Sequence, residues 1–343
     1  MKPLATFTVS RDDGIYEAWP DLLLTPSGRL ICIFWEGTFH TDRRYSRVML
    51  TESDDRGRTW TPKHPLSAPG NGWGAPRLSL LGDGRIVAIA NRCAEELVDE
   101  KLLPVFVWFS EDQGATWDGP HVLPALGCVP DKLLELPSGR WIVSCQYYNP
   151  PVDYWQQRLW YSDDRGRSWH GPVSVAEQRG LHLCEGSILR LPDATLVAFL
   201  RENSGEGRDC YKAISHDDGE HWEGLYRFPL PGCHRPVAGM LQSGRVMITY
   251  RFMQGGQPGF GFWTQNFFAA LTDVTSAAAT ERDRAWTRIM PLDFDRSPES
   301  DVGYSGWVQF PDGEIYVVNY LVDDAPKAQI RGYSLREEDF LLA

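Results

Sequence analysis

Three residues of this sequence, Glu185, Arg235 and Tyr304, form a reactive set if the fold brings them together. A phenol gives up its proton only at about pH 10, so it attacks well only when a base beside it takes that proton. A carboxylate such as Glu185 is such a base. A guanidinium at the same place can grip an anion through two parallel N–H bonds. Groups of this kind are costly to bury unless they are paired or used. The alternative reading makes Glu185 and Arg235 a structural ion pair and Tyr304 a core residue.

Their spacing points to the elements that must position them. Each stands nine residues before the turn of a segment that occurs six times, over 20–34, 76–90, 131–145, 186–200, 236–250 and 305–319. Every copy reads as an apolar strand, a turn and a second apolar strand. The turn residue is Gly28, Gly84, Gly139, Ala194, Gly244 or Gly313. Alternation around Ser-Gly or Asp-Gly is a hairpin signature. The six residues nine places ahead are Trp19, Ala75, Pro130, Glu185, Arg235 and Tyr304. At the far end of the same hairpins lie Asn91, Gln146, Arg201 and Arg251, polar where a core prefers apolar side chains.

A second repeat, Ser-x-Asp-x-Gly-x-x-Trp, occurs at 53–60, 110–117, 162–169 and 215–222, with starts 57, 52 and 53 residues apart. Its Asp can accept backbone N–H bonds within its own turn, and its Gly supplies a positive φ. Its Trp re-enters the next strand and packs into the unit. Fourteen tryptophans in 343 residues fit a repeat that uses one per unit. Six hairpins, four of them followed by such a clip, predict an all-β fold with one domain over 1–343. The expected architecture is a six-bladed β-propeller. A short strand from Ala5 to Val9 is expected beside a C-terminal strand near 330–335, closing the ring. Blades five and six lack a clip, and 252–300 reads as a loop-rich insertion.

The net charge of −12 and a pI of about 5.2 leave no basic stripe, which argues against a nucleic-acid partner. No run of eighteen apolar residues occurs, so no membrane span is expected. The first ten residues lack an apolar leader core, so a cytoplasmic location is expected, or secretion if a leader was trimmed. Seven scattered cysteines without a CxxC pair read as small buried thiols, and neither a metal nor a cofactor is expected.

On these motifs the sequence resembles the sialidase (neuraminidase) superfamily, whose Asp boxes match the four clips across nearly the whole chain. The segment from Glu185 to Arg201 resembles the family's blade with a Glu and a distal Arg. The segment beginning Tyr304-Ser305 resembles the one that carries the family's nucleophile. Asp42, between the first hairpin and the first box, stands where the family keeps its acid/base Asp, and Glu36 is its rival. The family's opening Arg-Ile-Pro reads Ala18-Trp19-Pro20, so the first arginine is missing. The resemblance implies a carboxylate clamp rebuilt from Arg201, Arg235 and Arg251, assisted by Arg43 or Arg77. Trp19, Trp35 and Tyr320 would wall the sugar pocket, with His40, His182 and His234 near it.

The implied activity is that of an exo-acting, retaining glycoside hydrolase for a terminal acidic sugar, sialic acid first. Tyr304 would attack the anomeric carbon with Glu185 as its base, and Asp42 would protonate the leaving oxygen. A phenol suits such a substrate, because a sugar carboxylate repels an anionic nucleophile. The alternatives are a uronic or neutral sugar on the same fold, favoured by the missing arginine, and a non-catalytic carbohydrate-binding propeller.

Overall fold

The computed structural model describes residues 4–40, 42, 44–70, 72–92, 103–149, 151–253 and 265–340. Among the described residues, twenty-four strands form six four-stranded antiparallel sheets, five of them up-and-down meanders and the sixth completed by the N-terminal strand. The inner strands of blades one to six are Tyr16–Leu24, Arg77–Leu80, Leu134–Glu135, Leu183–Arg190, Cys233–Met240 and Val302–Gln309. This is the six-bladed propeller expected from the repeats. Ala5–Ser10 is the outermost strand of blade six, hydrogen-bonded to Gln329–Leu335. The two ends of the chain thus close the ring as anticipated. No helix among the described residues is long and apolar enough to cross a membrane.

The Asp boxes are turn clips. Asp55 accepts from the backbone N–H groups of Arg58 and Thr59 at 3.0 and 2.8 Å and from the Thr59 hydroxyl at 2.6 Å. The Trp60 indole N–H donates to the Gly57 carbonyl at 3.2 Å, and Tyr316 of blade six donates to the same oxygen at 2.7 Å. The box therefore fastens its own turn and also docks the neighbouring blade.

Blade five departs from the sequence reading. Residues 252–300 are not mainly an insertion: they carry the third strand, Gln265–Thr272, and the fourth, Arg288–Phe294, while 254–264 lie outside the described residues. In place of a box stands the short helix Val274–Ala278, capped by the Asp273 carboxylate, which accepts from Ser276 N–H at 2.7 Å. Its last carbonyls, of Ser276 and Ala277, accept from the buried ammonium of Lys212 in blade four at 3.1 and 2.6 Å. Burial pushes the Lys212 ammonium down to about 8. A lysine and a cap replace the clip, so the repeat pattern vanished from the sequence while the blade remained.

Blades are joined near the axis by side chains that accept or donate across the seam. Asp21 of blade one accepts from Leu78 N–H of blade two at 2.8 Å, and Asp131 of blade three accepts from Ile188 N–H of blade four at 2.8 Å. Ser187 accepts from Ala238 N–H at 3.2 Å, and the hydroxyls of Thr249 and Ser305 meet at 2.8 Å. Each inner strand lacks a sheet partner on its axial side, so the bonds to Leu78, Ile188 and Ala238 satisfy backbone N–H groups that would otherwise be orphaned.

Hydrogen bonds from Thr59, Thr116 and Ser168 hold the carboxyls of Asp55, Asp112 and Asp164 at about 2, below the ordinary value of 3.8. A carboxyl lowered by folding stabilises the fold while it is ionised, so the gain is complete above about pH 4 and is lost as pH falls towards about 2. The melting temperature is expected to fall across that window. The triple variant Asp55→Asn, Asp112→Asn, Asp164→Asn should show a shallower acid limb by calorimetry.

Candidate active site

The site is built on a repeated backbone distortion. At the start of the inner strand, blades one, four, five and six each hold one residue more than the partner strand between Ala18 and Asp21, Cys184 and Ser187, His234 and Val237, and Gly303 and Ser305. The residues at these bulges are left-handed although none is glycine: Trp19 at φ 57°, Glu185 at 46°, Arg235 at 49° and Tyr304 at 54°. Such a conformation costs about 1–3 kcal/mol per residue and persists where its surroundings enforce it. In blade three the left-handed residue is Val129 at φ 49°, one place before the expected Pro130. The proline ring fixes φ at negative values, so the distortion moves to its neighbour.

The second strand of one blade props the bulge of the next. Asn91 accepts from Val129 N–H, and Gln146 accepts from Glu185 N–H, both at 3.1 Å. Arg251 donates to the Val302 carbonyl at 3.4 Å. A Cβ on Gly303, where φ is 117°, would lie 2.6 Å from the Arg251 Cβ, so this approach requires glycine. The polar residues at the far ends of the hairpins thus have a structural use that their positions alone did not reveal.

Tyr304 and Glu185 meet at the axis. The phenol donates a hydrogen bond to Oε1 of Glu185, and Oε2 accepts from Arg201 Nη1 at 2.7 Å. Arg201 also donates to Asn203. Burial pushes the Glu185 carboxyl up, but the charges of Arg201 and Arg251 and the bonds from Arg201 and Tyr304 outweigh it, and the group is held below its ordinary range. Burial and the adjacent carboxylate push the Tyr304 phenol up. The resting pair is therefore a neutral phenol on an ionised carboxylate. The Arg251 guanidinium lies 5.7 Å from the Tyr304 ring centroid and donates to Gln265 Oε1 at 3.3 Å. His234, buried opposite Arg251 in the sheet, is held well below its usual value by burial and by the charges of Arg201 and Arg251.

Two expected clamp residues are placed elsewhere. Arg235 is fully buried and donates to the carbonyls of Glu185, Gly186 and Pro130 at 3.4, 3.3 and 3.2 Å. Arg77 is equally buried and donates to the carbonyls of Pro20 and Ser305 at 3.1 and 3.2 Å. Burial, then the nearby Arg235 charge, pushes Arg77 down to about 10. These guanidiniums tie the blades together and, among the described residues, do not line either of the two cavities beside the axis. Arg43 lies outside the described residues. Arg235 and Arg251 both lie 5.7 Å from the Tyr304 ring centroid, but of the expected clamp only Arg251, among the described residues, lines the larger cavity, while Arg201 holds Glu185.

A cavity of about 190 Å³ opens beside Tyr304, walled by Trp19, His40, Asp42, Trp73 and Asn91. Trp19 packs on the fully buried Trp35 at 4.6 Å, so Trp19 is wall and Trp35 is core. Tyr320 is likewise buried rather than wall. Asp42 stands where it was expected, but its carboxylate is fully engaged. It accepts from Thr38 N–H at 3.1 Å, the Thr38 hydroxyl at 2.6 Å, Arg44 N–H at 2.9 Å and Tyr45 N–H at 3.2 Å. Burial raises Asp42, but these four bonds outweigh it and hold it below the usual range. Its rival Glu36 is buried against Arg47 and Lys63, outside the cavity wall.

A larger cavity of about 1030 Å³ adjoins through His40 and is lined by Tyr16, Arg251, Gln265, Asp301 and Lys327. Here lies a cluster that sequence reasoning missed. Asp301 accepts from the hydroxyls of Tyr16 and, at 2.9 Å, Tyr320, and its Oδ2 lies 2.5 Å from His40 Nδ1. The available signal was positional, since Tyr16 and Asp301 each stand three residues before a bulge residue. No group of three His, Cys, Asp or Glu side chains among the described residues is placed to hold a metal.

A profile described as a BNR repeat-like domain matches residues 94–317. A sialidase of Clostridium perfringens is 28% identical over 210 residues, 53% of this chain and 52% of the relative. The chain thus spans about half the length of the curated relative it matches. Among solved structures, a Dyadobacter fermentans protein of unknown function superposes with TM-score 0.79 at 22% identity over 98% of each chain. The α-L-arabinofuranosidase Arb93A of Fusarium graminearum gives TM-score 0.72 at 12% identity over the whole of both chains. A Hadza microbial sialidase gives 0.68 at 16% identity over 94% of this chain and 66% of the other. These structural likenesses share one fold.

The placement of Arg235 predicts a stability effect. Arg235→Met should destabilise the protein by about 3 kcal/mol in urea titrations, because three carbonyls and Asp131 lose their buried cation. Unchanged stability with a raised KM would instead make Arg235 a substrate ligand.

Proposed function

The chain belongs to the BNR repeat-like domain family within the sialidase superfamily, and from that premise we propose that it is a retaining glycoside hydrolase with Tyr304 as nucleophile. The observation that carries this is the hydrogen bond from Tyr304 to Glu185, with Arg201 on the far oxygen of the carboxylate. A binding module has no need of a base beside a phenol, which argues against a lectin. As Tyr304 Oη bonds to the anomeric carbon, its proton passes to Glu185, the glycosidic C–O bond breaks and an acid in the cavity protonates the leaving oxygen. Water then attacks the anomeric carbon and gives a proton to that same group, the bond to Tyr304 breaks, and Glu185 returns its proton to the phenol.

The preferred substrate is a terminal acidic sugar on a glycan, sialic acid first. Arg251, which lines the larger cavity with its guanidinium 5.7 Å from the Tyr304 ring centroid, supports this reading, since a guanidinium can grip a sugar carboxylate. A neutral nucleophile also avoids repelling that carboxylate. A second reading, a neutral furanoside as the Fusarium relative's name would suggest, draws on Trp19 standing in place of the first arginine and on Arg235 and Arg77 being used inside the fold.

Tyr304→Phe is expected to lower kcat/KM on a fluorogenic sialoside by roughly a thousandfold or more, with the native fold retained by circular dichroism. Full activity would sink the nucleophile assignment. Arg251→Met should raise KM for the acidic glycoside and leave that for an arabinofuranoside unaltered; the reverse pattern, or turnover of the furanoside alone, would select the second reading.

A further inference from the structure

We propose that His40, oriented by Asp301, is the group that protonates the leaving oxygen, the role sequence reasoning gave to Asp42; the inference rests on the glycosidase reading above. A proton donor at this place must reach the cavity, have a spare proton-carrying atom and be able to take the proton back from water. His40 lines both cavities and is partly exposed. Its Nδ1 lies 2.5 Å from Asp301 Oδ2 in an ion-pair contact, which leaves Nε2, on the opposite side of the ring, as the atom to carry the transferable proton. The ring meets Trp19 edge-on at 5.4 Å, and Trp19 lies 6.1 Å from the Tyr304 ring. The three side chains therefore line one continuous wall, with nucleophile and donor on either side of an aromatic platform.

Asp301 is built as an orienting group. It accepts from the hydroxyls of Tyr16 and Tyr320, one on each oxygen, which favours its present orientation, and it would stabilise an imidazolium. The Lys327 ammonium donates to the Thr38 carbonyl at 2.9 Å and fastens the loop that carries His40. Asp42, on the same loop, has both oxygens filled by donors and stays an anion. The charged and titratable groups around His40 are Asp301, Tyr16 and Tyr320 at the ring, Asp42 and Tyr304 in the smaller cavity, and Arg251, Glu299 and Lys327 in the larger one.

The proton balance closes. In the first half-reaction the Nε2–H proton of the imidazolium moves to the glycosidic oxygen as Tyr304 Oη takes the anomeric carbon. In the second, neutral Nε2 removes a proton from the attacking water and the imidazolium is restored.

The test compares a 4-nitrophenyl glycoside of the acidic sugar, whose leaving group departs without a proton, with the methyl glycoside, whose leaving group needs one. His40→Ala is expected to lower kcat/KM about a hundredfold on the methyl glycoside and less than tenfold on the 4-nitrophenyl glycoside. Azide, a nucleophile that needs no base, should raise kcat of that variant on the 4-nitrophenyl substrate. Asp301→Asn should show the same split at smaller size, and Asp42→Asn no split. His40→Gln serves as a second variant if the alanine form melts early. Equal losses on both substrates in the His40 variants, or a split in Asp42→Asn alone, overturn the proposal while leaving the Tyr304 reading intact. Failure of the unaltered protein to cleave either substrate or an aryl arabinofuranoside overturns both.

Discussion

Glu185 keeps its charge in a buried place because Arg201 lies 2.7 Å from it. An isolated carboxylate taken out of water would bind a proton, and a protonated Glu185 could not accept one from Tyr304. Arg251 adds a second cation nearby without binding the carboxylate itself. These two arginines come from equivalent rungs of neighbouring blades, opposite Cys184 and His234. The ring geometry therefore sets the protonation state on which the proposed chemistry depends.

The same ring imposes a constraint on the backbone. Inner strands converge, and regular strand geometry would send alternate side chains into the seams between blades. One extra residue in the left-handed conformation turns a side chain towards the axis instead. The strain is borne by the two catalytic candidates, by Trp19 and by Arg235. The surrounding lattice of props from Gln146 and Arg251, and the buried guanidiniums of Arg77 and Arg235, holds these bulges in place. Stability and chemistry thus draw on the same few strand starts, with cations shared between them.

Much of this was legible in the chain. Four boxes and six hairpins specify the blades because turn chemistry is local: Asp, Gly and Trp act within eight residues of one another. The nine-residue offset selected Trp19, Glu185, Arg235 and Tyr304 because identical blades put identical offsets at identical places. The offset missed in blade three, where proline displaced the bulge onto Val129. The reading of 252–300 failed because a capped helix and Lys212 replaced the box, leaving no repeat to detect.

The sequence by itself determined the number of blades, the closure of the ring by the N-terminal strand, and the positions of the left-handed bulge residues in blades one, four, five and six. The tertiary structure alone decided what those axial groups do. Whether an arginine faces substrate or knits carbonyls depends on which backbone oxygens lie within 3.5 Å of it, and those oxygens belong to blades some 50 or more residues away. That is why Arg235 and Arg77 turned out to be internal ties, why Asp42 proved to be saturated by its own loop, and why Asp301 joined His40 from across 261 residues of chain.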